Sequence, residues 1–80
     1  MSVYDEIAAE RERQDAKWGG PDHDDGHGWH EWIDWMVEHA SKAYSPNNDE
    51  ESYANARRRY IEVAALAVAA VESMDRTVLS

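Results

Sequence analysis

The sequence YIEVAALAVAAV, at residues 60–71, decides the fold of this 80-residue chain. It contains one charged residue, Glu62, and neither glycine nor proline interrupts it. Alanine and leucine favour helix, so the stretch predicts a helix that extends beyond it on both sides. Its apolar surface is too broad for a lone helix in water, which predicts that this helix is the centre of a bundle or dimer. It is too short to span a membrane, which takes about 20 apolar residues.

Two apolar stripes are expected along the helix that contains this stretch. Residues spaced three and four apart lie on one side of a helix, so each stripe is a candidate contact surface. The first stripe consists of Tyr53, Arg57, Tyr60, Ala64, Ala67, Val71 and Met74. The second stripe, beside it, consists of Ile61, Ala65, Val68 and Glu72. We expect the rest of the chain, or a second copy of it, to cover this surface.

The length and composition indicate one small domain, residues 1–80. At 80 residues, a single hydrophobic core is only marginally sufficient. The chain has no cysteine, so neither a disulfide nor a thiolate metal site supplements that core. A homo-oligomer is therefore expected. Neither a signal peptide nor a membrane-spanning segment is expected, which indicates a cytoplasmic protein.

Glycine, proline and asparagine divide the chain into helical segments. Apolar residues recur at helical spacing in three segments, which are residues 3–17, 29–44 and 49–75. Ser2 is the expected cap of the first helix, and Asn47 or Asn48 that of the third. Residues 19–28, GGPDHDDGHG, are expected to be irregular, and residues 76–80 to be a short tail. The predicted fold is all-α: a three-helix bundle with a long central C-terminal helix, which dimerisation would complete.

The middle helix is expected to bury one apolar side. Its stripe consists of Trp29, Trp32, Ile33, Met36, Ala40, Ala43 and Tyr44. Trp35 and Val37 lie outside that stripe and indicate a second buried edge. All four tryptophans lie within residues 18–35, and the chain has no phenylalanine. We interpret this cluster as core, with a platform for stacking a base or ligand as the alternative.

The negative charge is concentrated in the middle of the chain. Of the net charge of −9, residues 21–51 contribute −8, from nine acidic residues against Lys42 alone. Such a field repels nucleic acid and attracts a basic protein surface or a divalent cation. Direct binding of nucleic acid is therefore not expected. The alternative is an acidic surface that only keeps the protein soluble.

Histidine and aspartate are dense in residues 22–31. Imidazoles and carboxylates at this density can bind zinc or another transition metal. The spacings of His23, His27 and His30 are ones that ligand pairs use. The alternative is that these residues only form turns and that Asp24 or Asp25 orders the entry to the middle helix.

Two further charged groups lie on the predicted helices. Glu31, Asp34 and Glu38 are spaced three and four apart, so they share a helix face and are candidate Mg²⁺ ligands, with a solvated face as the alternative. Residues 57–59 are three arginines and form the one cationic cluster in the sequence. We expect these arginines to pair within the chain, for instance with acids of the middle helix, rather than to contact phosphate.

Three pieces of sequence, found in this order, carry a resemblance to known proteins. They are ERERQ with KWG at residues 10–14 and 17–19, PDHDDGH at residues 21–27, and VAALA with ESMDR at residues 63–67 and 72–76. The chain is similar to small helical proteins encoded by phages and prophages, and more distantly to MazG-like nucleotide pyrophosphohydrolases. This resemblance implies a helical fold and a place in the cytoplasm of a bacterial host.

The resemblance to MazG-like enzymes also implies where metal ligands would lie. The first acidic motif of that family falls on Glu38, His39 and Lys42, and the second falls on Arg59 and Glu62. Glu38 and Glu62 keep a carboxylate, whereas the other three positions do not. A lysine and an arginine at ligand positions oppose the gathering of Mg²⁺ and polyphosphate. The resemblance therefore predicts a degraded metal site.

These features predict a non-enzymatic acidic protein of a phage or prophage. Like many anti-CRISPR proteins, it would bind and inhibit a host defence complex by covering a basic surface that binds nucleic acid. Its carboxylates would compete with phosphates for lysine and arginine on the partner, so binding would weaken with salt. The expected contact residues are Asp22, Asp24, Asp25, Glu31, Asp34, Trp35, Glu38, Asp49, Glu50 and Glu51.

Two other functions are alternatives. A MazG-like enzyme would release pyrophosphate from nucleoside triphosphates, with Glu38 and Glu62, and Glu31 and Asp34 beside them, holding Mg²⁺. A nucleotide-signal sponge would stack a base on tryptophan or tyrosine and bind phosphate through residues 57–59. The leading function needs no cofactor, and the enzyme needs Mg²⁺. If a metal binds, its candidate ligands are His23, His27, His30, Glu38 and Glu62.

Overall fold

Four helices form the fold of residues 2–77, the part of the chain that this computed structural model describes. They are α1 (Val3–Trp18), α2 (Gly20–Asp25), α3 (Glu31–Ser41) and α4 (Glu50–Thr77). Residues 2–77 contain no β-strand, which confirms the all-α prediction. The three predicted helices are present, and α2 is an addition to them.

α4 is the central helix, as predicted. It packs against α1, α2 and α3, and α1 packs in addition against α2. At 28 residues, α4 is about 42 Å long, which gives three neighbours room along its length. Within residues 2–77, no helix combines the length and the apolar character that crossing a membrane requires.

Both ends of α1 follow from local hydrogen bonds. The Asp5 backbone N–H donates to Ser2 Oγ at 3.1 Å, and the Ser2 N–H donates to the Asp5 carboxylate at 3.2 Å. This reciprocal pair confirms Ser2 as the cap. At the other end, Gly19 has a φ of +102°, a left-handed conformation that residues with a Cβ rarely adopt. Its N–H donates to the Asp15 carbonyl at 2.9 Å, which ends the helix.

The prediction that residues 19–28 are irregular is wrong, because Gly20–Asp25 forms α2. Pro21 lies in the first turn of this helix, where its fixed φ is suitable and its missing N–H has no role. The left-handed Gly19 turns the chain between α1 and α2. A helix of six residues is unstable alone, and contacts with α1 and α4 stabilise this one.

The start of α4 is capped by Asp49 rather than by Asn47 or Asn48. The Ser52 backbone N–H donates to Asp49 Oδ1 at 2.8 Å. Hydrogen bonds from Ser52 lower the pKa of the Asp49 carboxyl, because they favour its charged form. A carboxylate also suits the positive end of the helix dipole better than an amide does.

The far end of α4 extends beyond the predicted boundary. Arg76 and Thr77 belong to the helix, although they were expected to be part of a tail. Thr77 Oγ1 donates to the Ser73 carbonyl at 2.7 Å, and the Arg76 guanidinium donates to Asp25 at 2.8 Å. These bonds hold the last turn against α2. Residues 78–80 of the expected tail lie outside the described residues.

The hydrophobic core lies where α3 packs on α4. Leu66, Ala69 and Ala70 of α4 contact Trp32 of α3, and the half-buried Trp35 lies beside them. Alanine lets two helix backbones approach closely, while the single buried indole of this cluster fills the space that alanine leaves. The core is therefore small and depends on one large side chain.

Within one chain, most of the stripes predicted for the long helix are not buried. Tyr53, Tyr60 and Val71 of the first stripe are 74%, 63% and 57% exposed. The buried residues of α4 are Glu62, Ala65, Leu66, Ala69, Ala70 and Ser73. The other helices pack on this side because its small residues allow close approach, which leaves the tyrosines outside. The homo-oligomer remains a prediction, and the exposed first stripe is where a second copy would pack.

The orientation of α3 also differs from the prediction. Trp32 is 3% exposed, and Trp35, expected outside the main stripe, packs against the core. Trp29, Ile33 and Tyr44, expected inside it, are 60%, 51% and 80% exposed. This segment has more apolar residues than its contact with α4 can bury, so some of them face solvent.

Candidate functional site

One side of α3 presents apolar and acidic side chains together, and we call it the α3 outward face. It is formed by Ile33, Asp34, Val37 and Glu38. Ile33 and Val37 are one turn apart and are 51% and 61% exposed. Asp34 and Glu38 follow them in sequence and are exposed as well. Apolar exposure of this kind, bordered by charge, is typical of a surface that binds another protein.

Five of the predicted contact residues are exposed acids that do not cap a helix. They are Asp22, Asp34, Glu38, Glu50 and Glu51. Asp49 is exposed too but serves as the cap of α4. Glu38 accepts a long hydrogen bond of 3.5 Å from Lys42, and this exposed pair leaves most of its carboxylate in solvent. The α3 outward face and the start of α4 therefore hold most of the free negative charge among the predicted contacts.

Asp25, another predicted contact, is held within the fold. The guanidinium of Arg76 donates to it at 2.8 Å, and Ser73 Oγ donates to it at 2.9 Å. The bond from Arg76, followed by that from Ser73, holds the pKa of the Asp25 carboxyl below its usual value. The role of Asp25 in the structure is thus to join α2 to α4.

Asp24 and Glu31 are also engaged inside the molecule. Asp24 is 7% exposed, and its Oδ2 lies 3.9 Å from Arg11 Nη1. Glu31 accepts from the Gly28 N–H at 2.7 Å, and this bond is the main reason why the pKa of the Glu31 carboxyl is lowered. Neither side chain is as free to meet a partner as Asp34 is.

Trp35 is half-buried and packs against the core, so it is not an exposed contact residue. Its ring meets the Trp32 ring edge to face, with centroids 5.3 Å apart, and the His27 ring at 4.8 Å. Edge-to-face contacts of this kind stabilise aromatic clusters. The aromatic and aliphatic residues that are exposed on this part of the chain are Trp29, Ile33, Val37 and Tyr44.

A cleft of about 320 Å³ lies between α1 and α2 on one side and α3 on the other. Leu66 and Ala69 of α4 form its floor, and Trp32 and Trp35 form an aromatic wall. Its cationic lining residues are Arg11, Arg13, Lys17 and Lys42, and its acidic ones are Asp15, Asp24 and Glu38. This volume is at the lower end of the range for sites that bind small molecules.

Four residues of this cleft carry buried polar atoms without a hydrogen-bond partner in residues 2–77. The atoms are Gln14 Oε1, His23 Nδ1, Asp24 Oδ2 and Trp32 Nε1. Gln14, Asp24 and Trp32 are 3%, 7% and 3% exposed. Buried polar groups are normally hydrogen-bonded, and leaving one unpaired costs about 1–3 kcal/mol. The Gln14 and Asp24 oxygens are acceptors and the Trp32 N–H is a donor, while the role of His23 Nδ1 depends on its tautomer.

Three of the five positions that the MazG resemblance assigns to metal ligands lie together in space. His39 Nδ1 lies 3.0 Å from Glu62 Oε1, and Arg59 Nη1 donates to the same oxygen at 3.1 Å. Glu38 comes directly before His39 on α3, and Lys42 follows His39 by about one turn. These side chains form hydrogen bonds and ion pairs with one another, and they differ from those of a metal site.

The group formed by Glu62 and its neighbours does not fit Mg²⁺. Burial raises the pKa of the Glu62 carboxyl, but hydrogen bonds and charge from His39 and Arg59 outweigh burial and leave the pKa below its usual value. The oxygen that would bind a cation already has an arginine and a histidine as partners. Mg²⁺ requires oxygen ligands, which His39, Lys42 and Arg59 do not supply. An ion-paired network occupies these positions instead.

The three histidines of the HDDGH segment and its flank do not act as one cluster. His23 and His27 lie together, with their Nε2 atoms 3.4 Å apart. The exposed His30 meets Trp29, with ring centroids 5.8 Å apart. Among the described residues, no group of three or more His, Cys, Asp or Glu side chains has the geometry of a metal site. His23 and His27 therefore form a pair, and His30 lies apart from it.

The arginines at residues 57–59 pair inside the chain, as expected. Arg57 donates to both carboxylate oxygens of Glu6, at 2.6 and 2.8 Å, and this bond lowers the pKa of the Glu6 carboxyl. Arg58 donates to Asn55. These partners lie on α1 and α4 rather than on the middle helix.

Sequence reasoning predicts Asp34 and Glu38 of the α3 outward face as contacts but misses Ile33 and Val37 beside them, and it does not predict the cleft. The sequence pattern puts Ile33 in the core and Val37 on a buried edge, although α3 has more apolar residues than one side can bury. The signal available in the sequence was the surplus of apolar positions in residues 29–44.

No family model, no curated protein and no solved structure matches the chain. A function for this chain is therefore inferred from its own geometry.

Proposed function

We propose that the protein is a phage or prophage inhibitor that binds a basic protein surface through the α3 outward face. The observation that carries the proposal is the exposure of Ile33 and Val37 directly beside Asp34 and Glu38. The partner is a host defence complex that binds nucleic acid, and the bound protein blocks that surface in the manner of an anti-CRISPR protein.

The apolar and acidic parts of the face have different roles. Ile33 and Val37 anchor the complex, because burying exposed aliphatic side chains contributes about 25 cal/mol per Å². Asp34 and Glu38 select the partner, since carboxylates beside the anchor favour lysine and arginine over acidic surfaces. A net charge of −9 adds long-range attraction to a basic partner and repulsion from nucleic acid.

Competition with nucleic acid explains the inhibition. A surface that binds phosphates presents lysine and arginine at the spacing of a charged backbone. Carboxylates on a rigid helix offer the same charge, so both cannot occupy the surface together. Because the attraction is between charges in water, we expect binding to weaken steeply as salt rises.

Charge reversal on the α3 outward face tests this proposal. We expect the double variant Asp34→Lys with Glu38→Lys to reduce capture of the partner from host lysate by more than about tenfold, because charge repulsion replaces attraction at the rim. The matched control is Glu12→Lys with Asp75→Lys, which changes net charge equally at positions on α1 and α4. The captured complex is then assayed for binding of its nucleic acid with and without the inhibitor.

The result is decided by comparison of the two variants. Support requires that the α3 variant loses both capture and inhibition while the control keeps them, and that washing at high salt releases the partner. Equal loss in both variants would mean that only total charge matters. Unchanged capture by the α3 variant would contradict the proposal.

A second candidate function is the binding of a nucleotide in the cleft. The unpaired Gln14 and Asp24 oxygens and the unpaired Trp32 N–H are complementary to a ligand with two donors and one acceptor. The Watson–Crick edge of guanine has that pattern. Trp35 offers a ring near the base, and the lysines and arginines of the cleft offer charge to phosphate. Residues 57–59, expected for that role, are engaged elsewhere.

Thermal unfolding with GTP, GMP and guanosine tests the second candidate. A ligand at 100 times its Kd stabilises the fold by about 2.7 kcal/mol, which in a domain of this size raises the Tm by roughly 10 °C or more. We expect Trp35→Ala to lose this shift and Trp29→Ala, at an exposed position away from the cleft, to keep it. Absence of a shift with all three ligands at millimolar concentration excludes this candidate.

A further inference from the structure

His23 and His27 form a close pair at the edge of the cleft. His23 lies in α2, and His27 follows this helix, four residues later. Their Nε2 atoms are 3.4 Å apart, and their ring centroids are 4.7 Å apart. Neither proposed function makes use of this pair, although both rings are partly buried.

The other nitrogen of each ring lies near a carboxylate. His27 Nδ1 is 3.2 Å from Glu31 Oε2, within hydrogen-bond distance, whereas His23 Nδ1 is 3.6 Å from Asp24 Oδ1 and has no hydrogen-bond partner within residues 2–77. A carboxylate only accepts hydrogen bonds, so Glu31 favours the hydrogen on His27 Nδ1, and the negative charge of Asp24 favours the same tautomer of His23. In a neutral imidazole whose Nδ1 carries the hydrogen, Nε2 carries the lone pair. The two Nε2 lone pairs therefore face the same small region.

Two lone pairs at this separation repel each other unless a proton or a metal ion lies between them. Zinc binds histidine nitrogen at about 2.0–2.1 Å, and tetrahedral angles then put two such nitrogens roughly 3.3–3.4 Å apart. The measured separation of 3.4 Å agrees with that geometry. Glu31, on the Nδ1 side of His27, corresponds to the outer partner that usually orients a histidine ligand of a metal.

We propose that His23 and His27 bind a divalent first-row transition ion, Zn²⁺ in the cell, through their Nε2 atoms. Imidazole nitrogen suits Zn²⁺, Cu²⁺ and Ni²⁺, whereas Mg²⁺ and Ca²⁺ prefer oxygen. Because the described residues hold no cluster of three ligands, water or a bound ligand completes the coordination. Glu31 is a positioning residue in this arrangement, since it acts on the ion through His27.

Trp35 makes the binding measurable. Its ring centroid lies 4.8 Å from that of His27 and 6.5 Å from that of His23. Cu²⁺ or Ni²⁺ bound between the histidines should therefore quench its fluorescence. The experiment uses the full, untagged chain at pH 7.5, titrated with Zn²⁺ by calorimetry and with Cu²⁺ by tryptophan fluorescence.

We expect one Zn²⁺ per chain in the parent protein and loss of that binding in His23→Ala and in His27→Ala. The matched control is His30→Ala, which removes an exposed histidine of the same segment and should keep the parent affinity. Glu31→Gln should weaken binding by about 10–100-fold, the usual effect of losing an outer partner. Circular dichroism of each variant checks that the helices remain.

Three outcomes would overturn the proposal. One is that folded His23→Ala or His27→Ala binds Zn²⁺ as the parent does. Another is that His30→Ala loses binding as the pair variants do, which would place the ion elsewhere. The third is that the parent binds no Zn²⁺ at pH 7.5, which would mean that the histidines share a proton instead. None of these depends on the protein partner or on the nucleotide.

Discussion

Trp32→Ala is expected to remove a large part of the free energy of unfolding of this protein. Trp32 is 3% exposed and is the one buried aromatic side chain in residues 2–77, where it packs with Leu66, Ala69 and Ala70. Replacing a buried tryptophan by alanine costs about 3–5 kcal/mol, because apolar contact is lost and a cavity remains. At roughly 0.05–0.15 kcal/mol per residue, a domain of this length has only about 4–12 kcal/mol. Urea unfolding followed by circular dichroism measures the loss.

Two further substitutions make this prediction specific. Trp29→Ala is the control, because Trp29 is 60% exposed and its loss should change stability by less than about 0.5 kcal/mol. Trp32→Phe keeps most of the ring and removes the indole N–H, which has no hydrogen-bond partner within residues 2–77. We therefore expect Trp32→Phe to cost much less than Trp32→Ala. Equal losses for Trp29→Ala and Trp32→Ala would show that the core lies elsewhere.

The existence of the helices was predictable from the sequence because their signals are local. Ser2 with Asp5, and Gly19 after the last turn of α1, determine the ends of that helix through bonds within a few residues. α2 was not predicted, because glycine and proline usually interrupt regular structure. Pro21 is an exception because it lies in the first turn of a helix, and contacts with α1 and α4 stabilise that helix.

The buried side of α4 was not predictable from spacing alone. Apolar residues occur around most of this helix, so several stripes fit the same pattern. The observed side contains Ala69 and Ala70, while the larger Tyr60 faces solvent. Close packing of helices favours small residues at the contact, and that preference depends on the neighbours rather than on the helix itself.

The candidate sites were predictable only in part, because sequence spacing indicates contacts between residues close in the chain but not contacts between helices. The histidine pair arises from residues four apart in sequence, so its members could be named in advance. The cleft joins Gln14, Asp24 and Trp32 from three helices, and no local pattern connects them. His39 and Glu62 lie 23 positions apart and meet because α3 packs on α4, so no local pattern connects them.

Glu62→Ala is expected to destabilise the fold less than Trp32→Ala but more than the loss of an exposed ion pair. Glu62 is 8% exposed, and its Oε1 joins His39 of α3 to Arg59 of α4. Removing one member of a fully buried ion pair costs about 3–5 kcal/mol, because the other charge is left without a partner. The partial exposure of His39 and Arg59 lets water reach them, so we expect about 2–3 kcal/mol.

A glutamate on the same helix provides the control. Glu72 accepts a hydrogen bond of 3.2 Å from Arg11, but its side chain is 51% exposed. Exposed ion pairs contribute little, since water replaces the lost partner. Glu72→Ala should therefore reduce the free energy of unfolding by less than about 1 kcal/mol. If the two variants lose equal stability in urea, burial of the Glu62 network has no special role.

The stabilisation from Glu62 should also depend on pH in a defined direction. Its pKa is lower in the folded chain than the ordinary value of 4.5, so the unfolded chain takes up a proton first as pH falls. The contribution is therefore complete above about pH 4.5 and is lost as pH falls through the lower folded pKa.

Glu62→Gln cannot take up this proton, so its free energy of unfolding should fall less than that of the parent between about pH 7 and about pH 3. Glu6, Asp25, Glu31 and Asp49 have lowered pKa values as well, but they are present in both proteins and cancel in the difference. Parallel curves for parent and Glu62→Gln would mean that His39 and Arg59 do not stabilise the charged carboxylate.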